Sequence, residues 1–336
     1  MSAVLRALLG LLVLAAPAAA DPSRSAPLRG TAMRRPAALA TPRAEVQERG
    51  LSIDPVGHAF TRLSIDNPLG DVRIEGYDGT AIRIETRKTA PDDDALDRLH
   101  VSLADNPDGT VTIRTTADGG REQRPVARSA VRLDLVIRAP RDVRIEAAVG
   151  SGMLEVVNMD AGSDLDTGSG PISVRNVQGD VLTHSVSGQT RLAQVFGSVD
   201  AQTLMSDLDL DTIGGDRLIA SVHHGRIDGR RVRARDIELT ATEGRIVLEA
   251  EAALRGRLIV STFHGDVSVQ LRRHGVVAVR ARGTTVDFGG PVQTQLNGWV
   301  TATIGAGGTA ELIEAAHVEL RAASGNVKFA IIESRP

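Results

Sequence analysis

Residues 151–174 read SGMLEVVNMDAGSDLDTGSGPISV, and the pattern inside this stretch recurs toward the carboxyl end of the chain. In each copy a small or polar residue and a glycine precede alternating apolar positions, with a second turn midway to the next copy, as at Gly162 and Gly179. The position before the turn glycine, or before its substitute, recurs at steps of about 18–21 residues. It is occupied by Ser151, Ser169, Ser187, Met205, His224, Glu243 and His264. Each repeat therefore carries two short strands.

Repeats of this length cannot bury an apolar face alone, so they stack as the rungs of a solenoid with a continuous core. We predict an all-β fold, a parallel β-helix with rungs of about 18–20 residues. The alternation along each strand also predicts two buried columns. The first holds Leu154, Ile172, Leu208, Ile227, Ile246 and Val267, and the second holds Val156, Val174, Leu192, Leu210, Leu248 and Val269.

The amino-terminal residues predict export. Arg6 precedes the apolar run Ala7–Leu14, and small residues precede Asp21, which indicates a signal peptide over residues 1–20. Residues 21–48 are rich in Pro, Ala and Arg and predict a disordered tether. We expect the mature chain in the periplasm or outside the cell, without a transmembrane segment.

A single β-solenoid domain follows the tether. An acid cluster at residues 91–99 predicts one helical turn, and the turn at residues 105–109 predicts a hairpin. Trp299 and Phe329 are the aromatic residues expected to cap the far end. We divide the domain, residues 49–336, into less regular rungs over 49–147, regular rungs over 148–290, and terminal rungs with a cap over 291–336.

A segment near the start of this domain carries a family resemblance. Residues 65–79 read IDNPLGDVRIEGYDG, a later apolar strand ends in Ala139-Pro140, and the Ser-Gly rungs follow. This order resembles the bacterial exported β-strand-repeat domain family of unknown function, which is related to head domains assigned to adhesins. The resemblance covers residues 55–330, implies a right-handed parallel β-helix, and supplies no catalytic residues.

Composition excludes several kinds of function. The chain has no cysteine, so disulfides and thiolate metal sites are excluded. A net charge of -3 and 2% aromatic residues leave neither the basic face nor the stacking rings of a nucleic-acid-binding protein. Residues 305–310 match G-x-G-x-x-A, but the chain after them is too short for a dinucleotide-binding fold, so we predict no cofactor.

The sequence predicts neither a metal site nor a catalytic site outright, and it offers two clusters as candidates. In stacked rungs, equivalent residues lie about 4.8 Å apart. His224 and His264 therefore flank Glu243, with Arg282 expected further along the same column, and the imidazoles could converge with the carboxylate on one Zn²⁺ or share protons. The alternative is that any polar residue suits a solvated corner.

The second cluster is acidic. Asp209 alternates outward with two further aspartates on its strand, and the register places it beside Asp228 on the next rung and beside Arg191 on the rung before. Paired acids on a β-helix face are typical of polysaccharide lyases and pectin hydrolases, where carboxylates bind Ca²⁺ or act as acid and base. The alternative is a solvated ladder whose charges neutralise one another.

Our leading interpretation is a non-catalytic, exported β-solenoid that acts as an adhesin-like binding or scaffold module of the cell envelope. Its expected partner is an envelope protein or a polysaccharide surface. A carbohydrate-active enzyme that uses Asp209 and Asp228 is the first alternative, and a metal-binding module at His224, Glu243 and His264 is the second.

Overall fold

The computed structural model describes residues 45–55, 59–117, 131–289, 294–305 and 314–332. These residues belong to one compact unit, Pro42–Pro336. The predicted signal peptide and most of the predicted tether lie outside the described residues. The described part contains twenty-five strands and one short helix, so the predicted all-β class is confirmed.

The strands of the amino-terminal half are β1 Glu45–Ile53, β2 Arg62–Asn67, β3 Val72–Tyr77, β4 Ile82–Ala90, β5 Leu99–Asp105, β6 Thr110–Ala117, β7 Arg132–Pro140, β8 Arg144–Ser151, β9 Leu154–Met159, β10 Ser163–Ser169, β11 Ile172–Val177, β12 Val181–Ser187 and β13 Thr190–Phe196, with α1 at Asp93–Asp97. The remaining strands are β14 Val199–Met205, β15 Leu208–His224, β16 Ile227–Glu243, β17 Ile246–Glu251, β18 Arg257–His264, β19 Val267–Arg272, β20 Val277–Arg282, β21 Thr285–Asp287, β22 Thr294–Leu296, β23 Trp299–Ile304, β24 Ala316–Ser324 and β25 Asn326–Ile332.

Alternate strands pair in parallel and form two ladders. The first ladder runs β6, β2, β8, β10, β12, β14, the second halves of β15 and β16, β18, β24 and β20. The second ladder runs β7, β3, β9, β11, β13, the first halves of β15 and β16, β17, β19, β25 and β21. Ser163 pairs with Val181 and Val181 with Val199, which is the step that the sequence predicts from one rung to the next.

The strand order at both ends departs from the order in the sequence. β2 lies between β6 and β8, and β24 lies between β18 and β20. Antiparallel strands are added outside these positions: β4 and β1 on β7, β5 on β6, and β23 and β22 on β20. β1 begins inside the stretch predicted as a tether, because its backbone pairs with β4 from Glu45 onward without needing an apolar pattern.

Both predicted buried columns are confirmed, since all twelve of their residues are at most 1% exposed. The strand register adds to each column one residue that the sequence analysis does not include. Thr190 lies between Ile172 and Leu208 in the first column, and Gly229 lies between Leu210 and Leu248 in the second. Side chains from both ladders join in one hydrophobic cluster, and this continuous core gives the outward-facing residues a fixed register.

The turn glycines explain why the corner between the two ladders repeats so regularly. Gly170 has φ +128°, and a Cβ built on it would lie 2.0 Å from the carbonyl oxygen of Gly152, the equivalent turn glycine of the neighbouring repeat. Gly188 repeats this geometry, with its Cβ position 2.2 Å from the oxygen of Gly170. Only glycine tolerates both the positive φ and the close backbone approach. The residue before each glycine is therefore held at the corner.

The local predictions have mixed outcomes. The helical turn is α1, where the Asp92 side chain accepts a hydrogen bond of 2.8 Å from the Ala95 nitrogen, and β5 and β6 form the predicted hairpin. Trp299 lies on the added strand β23, with the guanidinium of Arg280 5.3 Å from its ring centre. Phe329 is not a cap, because β25 lies between β19 and β21 and leaves this ring fully buried.

Candidate functional site

The corner column consists of the residues that directly precede each turn glycine or its substitute. Strand pairing places Ser187, Met205, His224, Glu243 and His264 side by side in that order, as predicted. The predicted continuation through Arg282 is wrong. β24 occupies the next position in the ladder, so Ser324 follows His264, and Arg282 pairs with Arg321 instead.

The histidines of the corner column make separate contacts. The Nδ1 atom of His224 lies 2.9 Å from Oε2 of Glu243, and the ring of His223 meets the His224 ring edge-on with centroids 4.3 Å apart. His264 instead packs edge-on against Phe263, with centroids 4.6 Å apart. Within the described ranges, His224, Glu243 and His264 do not form a group whose three ligating atoms lie within 4.8 Å of one another. Of the three candidate ligands, the structure therefore brings His224 and Glu243 into contact.

The acidic cluster has the predicted register, with Asp209 between Arg191 and Asp228 on the adjoining strands. Its carboxylate accepts hydrogen bonds of 2.7 Å from Gln189 and 3.2 Å from Arg191, and a nitrogen of Arg226 lies 3.8 Å away. Both of these hydrogen bonds end on Oδ2, so two of the roughly four acceptor sites of this carboxylate are occupied by donors from the protein itself.

Asp228 is engaged in the same way. It accepts a hydrogen bond of 3.2 Å from Nε of Arg230, two residues further along its own strand. This hydrogen bond and the charge of Asp228 raise the pKa of the Arg230 guanidinium. The arrangement is that of a neutralised ladder, in which each acid already has a cationic partner.

The sequence analysis missed an apolar row beside the corner column. Val186, Leu204 and Phe263 each stand two residues before a turn glycine or its substitute, and their exposed fractions are 48%, 45% and 58%. Met205 in the corner column is 55% exposed. The alternation along the strands could have revealed this row, because it directs these positions outward while their neighbours enter the core.

We call the combined surface the corner stripe. It comprises Val186, Leu204, Met205, His223, His224, Phe263 and His264, which lie on β12, β14, β15 and β18 of the first ladder. A groove of about 440 Å³ adjoins the stripe on the outer face of this ladder. Asp166, His184, Gln202, Val186 and Leu204 are among the residues that line the groove.

A second feature missed from the sequence includes two residues that line this groove, Asp166 and His184. Asp164 and Asp166 project from the outer face of β10, and His184 is the register partner of Asp166 on β12. The ligating atoms of these three residues all lie within 4.8 Å of one another. The step from Asp166 to His184 equals the step between repeats, and this equality is the signal in the sequence.

In the described part of the chain, no helix is long and apolar enough to cross a membrane.

No protein-family model matches the sequence, and no curated protein matches it. Among solved structures, a candidate adhesin from Bacteroides fragilis is 12% identical with a TM-score of 0.40, and the match covers 87% of this chain and 99% of that one. A candidate lipid-binding protein from Parabacteroides distasonis is 10% identical with a TM-score of 0.42, covering 84% and 96%. A candidate adhesin from Parabacteroides merdae is 9% identical with a TM-score of 0.36, covering 87% and 97%. Because all three TM-scores are below 0.5, no conclusion about this chain rests on these likenesses.

Proposed function

We propose that this chain is an exported, non-catalytic β-solenoid that binds a protein or polysaccharide of the cell envelope through the corner stripe. The two ladders, in which each strand pairs in parallel with the equivalent strand of the next repeat, support a parallel β-helix with two strands per rung. The amino-terminal pattern of residues 1–20 supports export to the periplasm or beyond.

The observation that carries the proposal is the exposed apolar surface of the corner stripe. Single exposed apolar residues are ordinary on protein surfaces, whereas contiguous ones mark interaction sites. Leu204 and Met205 follow one another on β14, and Val186 is the neighbour of Leu204 on β12, so these three side chains form one patch. Strand spacing of about 4.8 Å keeps the patch continuous.

The backbone beneath the stripe favours binding because it is already ordered. Stacked turn glycines hold each corner between two neighbouring rungs, so a partner that docks on it orders side chains alone. Binding to a preorganised surface avoids the entropic cost of fixing a loop. The imidazoles of His223, His224 and His264 add hydrogen-bonding groups at the edge of the apolar patch, which suits recognition of a polar envelope component.

Cosedimentation of the purified mature chain with isolated envelopes from the source organism tests the proposal. The double variant Leu204→Ser/Phe263→Ser should lose most of the bound fraction. Phe196→Ser is the matched control, because Phe196 is 51% exposed but lies on β13 of the second ladder. Pretreating the envelopes with protease or with glycan hydrolases distinguishes a protein partner from a polysaccharide. Equal cosedimentation of the double variant and the wild type would contradict the proposal.

The enzyme alternative retains one supporting observation. Asp209 and Asp228 are register partners, and the strand spacing of about 4.8 Å is near the carboxyl separation of about 5–5.5 Å in retaining glycosidases. Their carboxylates already contact the guanidinium groups of Arg191 and Arg230, which leaves less of each carboxylate free to meet a substrate. Release of reducing ends from an acidic polysaccharide by the wild type, and its loss in Asp209→Asn, would replace the binding proposal by this alternative.

A further inference from the structure

Asp164, Asp166 and His184 together have the donor atoms of a metal site. Two carboxylate oxygens and one imidazole nitrogen form a donor set typical of Zn²⁺, and Ca²⁺ instead prefers oxygen ligands alone. In a tetrahedral zinc site with ligands about 2.0–2.1 Å from the metal, neighbouring ligand atoms stand about 3.3 Å apart. The Nδ1 atom of His184 lies 3.5 Å from Oδ1 of Asp166, close to that separation. The ligating atoms of all three residues lie within 4.8 Å of one another. Small side-chain rotations therefore suffice to bring the Asp164 carboxylate to the same metal ion.

The backbone positions these three groups without further adjustment. Asp164 and Asp166 are two residues apart on β10, so both side chains project from the same face. His184 lies directly beside Asp166 on β12, and the continuous core under the two strands fixes their register. The three residues therefore share one face of a two-strand platform.

The charge around the three residues also differs from that of the other acidic clusters. Asp209 has Arg191 at 3.2 Å, and Glu146, the register neighbour of Asp164, has Arg62 at 3.1 Å. Among the described residues, neither Asp164 nor Asp166 has an arginine or lysine within 4.0 Å, and the contact of Asp166 is with the imidazole of His184 at 3.5 Å. Two carboxylates without a strong cation nearby favour a divalent ion.

We propose that Asp164, Asp166 and His184 bind Zn²⁺ beside the groove that Asp166 and His184 line. The protein supplies three ligands, and water completes the tetrahedral shell at the fourth position. This site is separate from the column of His224, Glu243 and His264. It also does not depend on the proposed function, since the metal alone is its ligand.

Calorimetric titration of the chelator-treated mature chain with ZnCl₂ tests the site. The wild type should bind one equivalent, and His184→Ala and Asp164→Asn should each weaken binding at least tenfold. His224→Ala is the matched control, because that imidazole also has a carboxylate partner but lacks a third ligand, and it should bind as the wild type does. Replacement of Zn²⁺ by Co²⁺ should give visible absorption bands that are absent in His184→Ala.

The folded state of each variant is checked first by its melting temperature without metal. All three side chains lie on the outer face of the ladder, so the variants should melt as the wild type does; His184→Gln replaces His184→Ala if that variant fails to fold. Absence of a binding isotherm with the wild type would overturn the proposal. So would binding that survives His184→Ala and disappears in His224→Ala, since the metal would then belong to the corner column.

Discussion

Replacing Gly170 by alanine should lower the free energy of unfolding by about 2–6 kcal/mol. The position has φ +128°, and a side chain held in such a conformation costs about 1–3 kcal/mol. The new Cβ would also lie 2.0 Å from the oxygen and 2.7 Å from the carbon of the Gly152 carbonyl. Relieving an overlap of this kind in a packed structure costs about 1–3 kcal/mol more, because the rungs on both sides resist displacement.

Urea denaturation followed by far-ultraviolet circular dichroism measures this loss. Gly50→Ala is the matched control, since nothing lies within 4 Å of the Cβ position at Gly50 and the chemical change is identical. The control should change stability by less than about 0.5 kcal/mol. If Gly170→Ala were as stable as Gly50→Ala, the explanation of the repeat by stacked turn glycines would be refuted.

Three further predictions concern the core, an ion pair and processing. Ile246→Asp should cost more than about 4 kcal/mol in urea denaturation, because it buries an unpaired charge, while Val247→Asp on the outer face should cost far less. The hydrogen bond with His274 holds the pKa of Glu251 below its ordinary value of 4.5, so its contribution is present above that value and is lost as pH falls through the lower folded pKa. Glu251→Gln should therefore reduce the loss of stability in acid, measured as melting temperature against pH, and an unchanged profile would contradict this role. Intact-mass analysis of protein from the cell envelope should find a mature amino terminus at Asp21, and retention of residues 1–20 would contradict export by a signal peptide.

The core and its register could be predicted from the sequence because both are encoded locally. Alternation along each strand determines which side chains face inward, and the constant step between rungs aligns Leu154 with Ile172. The same logic placed Glu243 between His224 and His264. Whether side chains then meet depends on their rotamers, and the packing of Phe263 against His264 is not encoded in the period.

The order of rungs at the two ends could not be predicted in this way. Parallel pairing uses backbone groups that every rung presents alike, so the pattern does not say which rung lies beside which. β24 therefore takes the place beside β18 that sequence order assigns to β20.

A second repeated feature was also missed. Asn158 and Asn176 both have positive φ in successive repeats, and a hydrogen bond of 2.7 Å joins their side chains. Asparagine tolerates positive φ better than most residues. The recurrence of asparagine at one repeat position therefore indicated these turns in the sequence.

The strands added at the ends of the two ladders determine which backbone edges are exposed. A ladder of parallel strands exposes unpaired backbone groups at its edges, and such edges invite pairing with another chain. In the described part, the outermost strands are β1 and β21 of one ladder and β5 and β22 of the other. β21 and β22 have only three residues each, and such short edge strands disfavour pairing through the backbone. Association through strand addition is thus discouraged at β21 and β22, whereas the corner stripe exposes the side chains of Leu204, Met205 and Phe263. A partner recognised by this chain should consequently dock on side chains, and substitutions in the stripe should affect binding far more than changes at the edge strands.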